Sequence, residues 1–157
     1  MALAVGAKAP NFTLFNTDKQ EVTLSTLIGH HVVLQFFPAA FTGVCTTQLC
    51  TMRDDLNFYN DLNTKVYGIS VDSLFALGKF KEEQAYNFDL LSDYNKEAST
   101  AFDVLYDAFP AFGMKHVAKR AAFVIDAAGV IVYSEECPTP GDLPNFAAIK
   151  DCLAALK

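Results

Sequence analysis

Residues 31–37 (HVVLQFF) form a short, nearly continuous apolar run between Gly29 and Pro38. Such a run marks a strand covered on both faces, which belongs at the centre of a sheet. Ahead of it, Asn11–Phe15 and Glu21–Leu24 alternate polar and apolar residues around a turn at Thr17–Gln20, which predicts an N-terminal hairpin. Beyond Pro38, Leu49, Met52, Leu56 and Tyr59 recur at three- and four-residue steps, a helical stripe that starts near Gly43–Cys45 and runs on to Leu62. Lys65–Val71 reads as a second buried strand, Ser73–Gln84 as a helix beginning after Asp72, Asp89–Leu91 as a short strand and Asn95–Phe102 as a turn or two of helix. Pro110 and Gly113 break any period in Phe109–Val117. Arg120–Ile125 and Val130–Tyr133 flank the turn Asp126–Gly129, and so short a connection makes them an antiparallel pair. After a loop at Cys137–Gly141, a last helix capped by Asp142 or Asn145 carries Phe146, Ile149 and Leu153 on one face.

Strands alternate with helices first, and a hairpin plus helix comes last. That order predicts an α/β fold with a central mixed sheet flanked by helices, although periodicity alone leaves several such arrangements open. A chain of 157 residues fits a single domain over 1–157, and its 52% hydrophobic content supplies a proper core. With 14 Phe and no Trp, that core should rest on phenyl rings. The net charge of −6 and scattered basic residues set nucleic acid aside as a partner. MALAVGAKAP has no basic leader region, and no segment reaches the roughly 20 apolar residues of a membrane span, so a cytoplasmic protein without a membrane partner is expected.

Four cysteines, at 45, 50, 137 and 152, are too few to build a fold from disulfides, and free thiols in a reducing compartment are expected. They form no C-x-x-C pair and have no H-x-x-x-H nearby, which argues against structural zinc; no metal or cofactor is expected. His30, His31 and His116 have no partner in view. Cys45 falls at a predicted helix N-terminus, where peptide dipoles and unbonded N–H groups favour an anion. A thiol that attacks a peroxide must react as thiolate, and the oxygen it displaces leaves with charge that donors must meet. Gly43 would let the backbone approach closely, Thr42 offers a hydroxyl, and Pro38 stiffens the strand-to-helix turn without an N–H of its own. Taken singly, each of these residues has an ordinary structural role, and a cation is missing locally.

Pro38-Ala-Ala-Phe-Thr42-Gly-Val-Cys45 resembles the P-x-x-x-[TS]-x-x-C signature of peroxiredoxins, in the strand-then-helix setting that motif requires. Arg120-Ala-Ala-Phe123-Val-Ile-Asp126 is similar to a second element of that family. The resemblance covers essentially the whole chain. It implies a thioredoxin-like fold with an N-terminal extension, and reduction of hydrogen peroxide or organic hydroperoxides at the expense of a thioredoxin-like or low-molecular-weight thiol. It also implies that Arg120 is the cation holding the thiolate and the peroxide oxygens, and that Gln48, where relatives carry Glu or Gln, orients it. Family analogy leaves a monomer or a homodimer.

The oxidised Cys45 must then be resolved before it is overoxidised. The C-x4-C spacing resembles the bacterioferritin-comigratory (Q-type) branch, which makes Cys50 the resolving thiol, whereas the surroundings of Gln48 look equally like the one-cysteine AhpE-like branch. Five residues along an ideal helix leave the Cα atoms roughly 8–9 Å apart, and a disulfide needs less than about 7 Å, so a 45–50 link requires unwinding. Thr46, Thr47 and Thr51 are mediocre helix formers that ease it. Cys137, in an acidic, proline-rich loop that reads as mobile, and an external thiol are the alternatives, while Cys152 reads as a small buried hydrophobe. A thioredoxin-type disulfide oxidoreductase and a redox-sensing binding module are the rival functions; the first lacks its C-x-x-C pair.

Overall fold

The structure is a computed structural model that describes residues 1–156. The strands are β1 (Thr13–Asn16), β2 (Glu21–Thr23), β3 (His31–Phe36), β4 (Thr64–Ser70), β5 (Asp89–Ser92), β6 (Ala121–Ile125) and β7 (Ile131–Glu136). The helices are α1 (Gly43–Asp54), α2 (Leu56–Asp61), α3 (Leu74–Gln84), α4 (Glu97–Ala101) and α5 (Phe146–Ala155). Among the described residues the strands form one sheet in the order β2-β1-β5-β4-β3-β6-β7. β3 runs parallel to β4 and antiparallel to β6, so the strand read as doubly buried does lie inside the sheet, with every residue from Val32 to Phe36 covered.

Alternation along β3 divides the core in two. Leu34 and Phe36 face a layer closed by Phe12, α4 and Phe102, where the rings of Phe36, Phe102 and Phe123 lie with centroids 5.0–5.8 Å apart. Val33 and Phe37 face Leu49 and Met52 of α1, Leu77 and Phe80 of α3, and Ile149 and Leu153 of α5. The close approach expected at Gly43 occurs instead at Gly68 of β4. A Cβ there would sit 2.7 Å from a Leu90 methyl and 3.3 Å from a Leu49 methyl, whereas one at Gly43 would meet nothing within 4 Å. Gly68 thus lets α1 lie down on the sheet.

Most boundaries shift by one or two residues from those expected, and three of the differences bear on the site. The helix after Cys45 is broken at Asp55, whose carboxylate Lys150 of α5 holds at 2.8 Å, and the 3–4 stripe keeps its phase across the break. Ser73, not Asp72, caps α3 by accepting from the Ala76 amide; Asp72 instead accepts from the Ala40 amide at 2.8 Å and from the Ser70 hydroxyl, tying the end of β4 to the turn after Pro38. β7 continues to Glu136, three residues past Tyr133. Of the two candidate caps on the last helix, Asn145 accepts from the Ala148 amide. Among the described residues no helix is long and apolar enough to cross a membrane.

Candidate active site

The C-terminal end of β3 leads through Pro38 into α1, and this turn is tightly built. Phe37 donates its amide to Ile69, Ala40 to Asp72, and Phe41 adopts a left-handed φ of 67° with its ring 5.1 Å from that of Phe80. Left-handed backbone at a bulky residue is costly and persists only where surrounding contacts enforce it. Thr42 occupies the cap position of α1 with extended backbone, but its hydroxyl donates to Ala39 O at 2.8 Å instead of accepting from the helix. Among the described residues no side chain caps α1, so the amides of its first turn remain available to an anion.

Cys45, one turn in, is only 1% exposed. Its sulfur receives Nη1 of Arg120 at 3.2 Å, and the same nitrogen donates to Gln48 Oε1 at 2.8 Å. The register that sets Ala121 opposite Phe36 brings Arg120 to the end of β3, beside Cys45. Its other nitrogens, Nε and Nη2, donate to Pro140 O at 3.2 and 2.7 Å. Arg120 is itself 3% exposed and forms no salt bridge among the described residues. A buried guanidinium held only by neutral oxygens and one sulfur is a cation waiting for an anion.

Behind Gln48 the hydrogen bonds continue into the core. Gln48 Nε2 donates to Gln35 Oε1 at 2.8 Å and to Phe36 O at 3.3 Å, and Gln35 Nε2 lies 3.4 Å from the Met52 sulfur. Both amides are fully buried. Gln35 fixes which way round the Gln48 amide sits: with its NH2 engaged, its oxygen faces Arg120. The sequence reading missed Gln35, although a lone amide in an otherwise apolar strand was a visible signal; the Pro140 carbonyl carried no such signal.

An opening of about 240 Å³ leads to the sulfur, lined by Pro38, Thr42, Val44, Phe109, Phe112 and Met114. Pro38, Thr42, Cys45 and Arg120 therefore share one site, with Gln48 against the arginine. Cys50 does not line the opening. It is half-buried on α1, with its sulfur 3.7 Å from Gln84 Oε1 and from Tyr86 Oη. Cys137 is not in a mobile loop: it is 4% exposed at the end of β7, its amide donating to Arg120 O at 2.9 Å. Burial, and then the Glu135 carboxylate, push its thiol up to about 11. The extension of β7 causes this by carrying Cys137 into the sheet. Cys152 is half-buried, its sulfur 3.8 Å from Val132 O, and burial raises its thiol too. His30 does have a partner, Asn63 Oδ1 at 2.8 Å. No cluster of His, Cys, Asp and Glu that could hold a metal occurs among the described residues.

Residues 5–134 match the AhpC/TSA family. The chain is 35% identical over 133 residues to peroxiredoxin Bcp of Bacillus subtilis, covering 84% of each chain. To alkyl hydroperoxide reductase E of Mycobacterium bovis it is 34% identical over 157 residues, covering 98% of each. Among solved structures, it superposes on peroxidoxin BcpB from Mycobacterium tuberculosis with a TM-score of 0.86 at 26% identity over 99% of each chain. Peroxiredoxin Q of Xanthomonas campestris gives 0.81 at 25% identity over 92% of this chain and 90% of that one. The thioredoxin-like fold expected from the sequence is the one these structures share.

Proposed function

The chain belongs to the AhpC/TSA family and is a thiol peroxidase of the peroxiredoxin type, and we propose that it reduces hydrogen peroxide and organic hydroperoxides through Cys45, with Cys50 as the resolving thiol. The observation that carries this reading is the single Arg120 nitrogen shared between Cys45 Sγ and Gln48 Oε1. It aims a desolvated positive charge at the sulfur and at any oxygen bound beside it. The Cys45 thiolate attacks one peroxide oxygen: an S–O bond forms, the O–O bond breaks, and the distal oxygen leaves as water or alcohol after taking a proton. The free first-turn amides of α1 and the Arg120 guanidinium meet the charge on that leaving oxygen. Thr42 Oγ1, whose proton goes to Ala39 O, is left to accept from the peroxide O–H. Val44, Phe109 and Phe112 give the opening an apolar wall that suits an alkyl hydroperoxide as well as hydrogen peroxide.

Cys45 is then a sulfenic acid. Attack by Cys50 forms the S–S bond, releases the sulfenic oxygen as water with the Cys50 proton, and leaves a disulfide for a thioredoxin-like or low-molecular-weight thiol to reduce. A cycle that must be re-reduced at each turnover suits a reducing compartment, which supports the cytoplasm as its place of work. A second reading, in which an external thiol attacks the sulfenic acid directly, is favoured by one observation: Cys50 does not line the opening to Cys45. Peptide mapping of peroxide-treated protein without reductant separates the two. A 45–50 link is expected; a mixed disulfide at Cys45 with added thiol, and no internal link, supports the second reading. Cys45→Ser is expected to abolish peroxide consumption, and parent-like consumption by this variant would overturn the assignment.

A further inference from the structure

The two cysteines sit on one continuous helix, so their union needs backbone motion, and the surroundings of α1 restrict where it can occur. The second half of the helix is fastened. Gln48, Leu49 and Met52 are fully buried. Arg53 Nη1 donates to Gln84 O at 2.6 Å, and Asn87 Nδ2 donates to Arg53 O at 3.3 Å. Residues 43–47 are held far less. Gly43 and Thr47 are exposed, no side chain caps the helix, and the hydroxyls of Thr46 and Thr47 turn back onto α1's own turn, to Thr42 O and Gly43 O. The Arg120 contact holds the Cys45 side chain and not the backbone of this turn.

One side chain from outside α1 is hydrogen-bonded to the backbone of residues 43–47 among the described residues: Tyr86, whose hydroxyl donates to Thr46 O at 3.3 Å. The same oxygen lies 3.7 Å from the Cys50 sulfur, so Tyr86 stands against the turn between the two cysteines and covers the second of them. Its ring is 4% exposed and wedged between Phe80 and Phe88, with centroids 5.2 and 5.5 Å away. Burial, then the contact with Cys50, keep the phenol protonated far above its ordinary range, so the oxygen is a donor throughout the working pH.

We propose that the Tyr86 hydroxyl is a latch on the turn between Cys45 and Cys50, and that its release lets residues 43–47 unwind and carry Cys45 to a stationary Cys50. The proposal rests on the reading of Cys50 as the resolving thiol. Tyr86 is then a positioning residue that sets the rate of disulfide formation, and with it the time for which the sulfenic acid is open to a second peroxide.

Tyr86→Phe keeps the ring in its aromatic cluster and removes only the hydroxyl. After a peroxide pulse, quenched at intervals and mapped without reductant, the 45–50 link is expected to form roughly three- to tenfold faster than in the parent, the effect of one lost hydrogen bond. The ratio of sulfinic Cys45 to disulfide at a given peroxide concentration should fall by a similar factor. In the reduced protein, amide exchange of residues 43–47 should quicken while that of 49–54 stays at the parent rate. A link that forms at an equal or slower rate, or exchange that quickens along all of α1, overturns the latch alone. Absence of a 45–50 link in both proteins overturns the role of Cys50 and the latch with it.

Discussion

Cys45 and Cys137 are buried to nearly the same degree, 1% and 4% exposed, and both lie against Arg120, yet they meet opposite ends of that residue. Cys45 receives the guanidinium and sits at an uncapped helix start. Cys137 donates its amide to the Arg120 main-chain carbonyl, and burial, with the charges of Glu135, Asp142 and Glu136, outweighs the opposing pull of the guanidinium and keeps its thiol protonated. The contrast separates two things that burial does to sulfur. Alone, it silences a thiol; with a directed cation and unbonded amides, it protects and concentrates the field that a sulfur anion needs. The arginine just before β6 touches both cysteines, one with its side chain and the other with its backbone, but it is burial and the carboxylates that silence Cys137.

Removing the cation should collapse this contrast. Arg120→Met keeps most of the aliphatic stem and is expected to lower kcat/KM for hydrogen peroxide about 100- to 1000-fold, the scale of losing a principal transition-state donor; a loss under about fivefold would break the comparison. Disturbing the orientation behind the cation should do less. Gln35→Leu leaves the Gln48 NH2 with only its longer bond to Phe36 O and frees the amide to turn, so kcat/KM should fall roughly three- to tenfold and stability by about 1 kcal/mol, read from a urea midpoint. The smallest effect belongs to the silent thiol. Because the thiolate is the reactive form and Cys137 ionises only near pH 11, its alkylation in the folded protein should be slow at pH 8 and climb toward pH 11, and Cys137→Ala should change peroxide turnover by less than about twofold. Alkylation half-complete near pH 8.5 would erase the difference between the two sites.

Much of this was legible in the chain. Period-two and period-3.6 patterns located the strands and helices, and the spacing of Pro38, Thr42, Cys45 and Arg120 identified residues that the fold brings to one opening. What stayed hidden has physical reasons. The break at Asp55 leaves no trace, since Leu49, Met52, Leu56 and Tyr59 keep helical phase on both sides of it. The end of β7 was cut short because Ser134, Glu135 and Glu136 look like loop residues, yet on an edge strand their side chains need only partial cover. That error made Cys137 look exposed. Gln35 was read as one more member of an apolar run; its meaning depends on Gln48, thirteen residues away, and only the register of α1 on β3 joins them. The Pro140 carbonyl is a property of a loop's path, which side-chain identity does not encode.

The hydrogen bonds running from Met52 through Gln35 and Gln48 to Arg120 are carried by amides, with no carboxylate among them. An amide does not gain or lose a proton in water at any pH a cell meets, so no member of this chain other than the guanidinium carries charge. Acidification therefore has nothing to discharge along the support of the arginine. The scaffold around Cys45 should hold its shape in acid conditions that would protonate a glutamate at position 48.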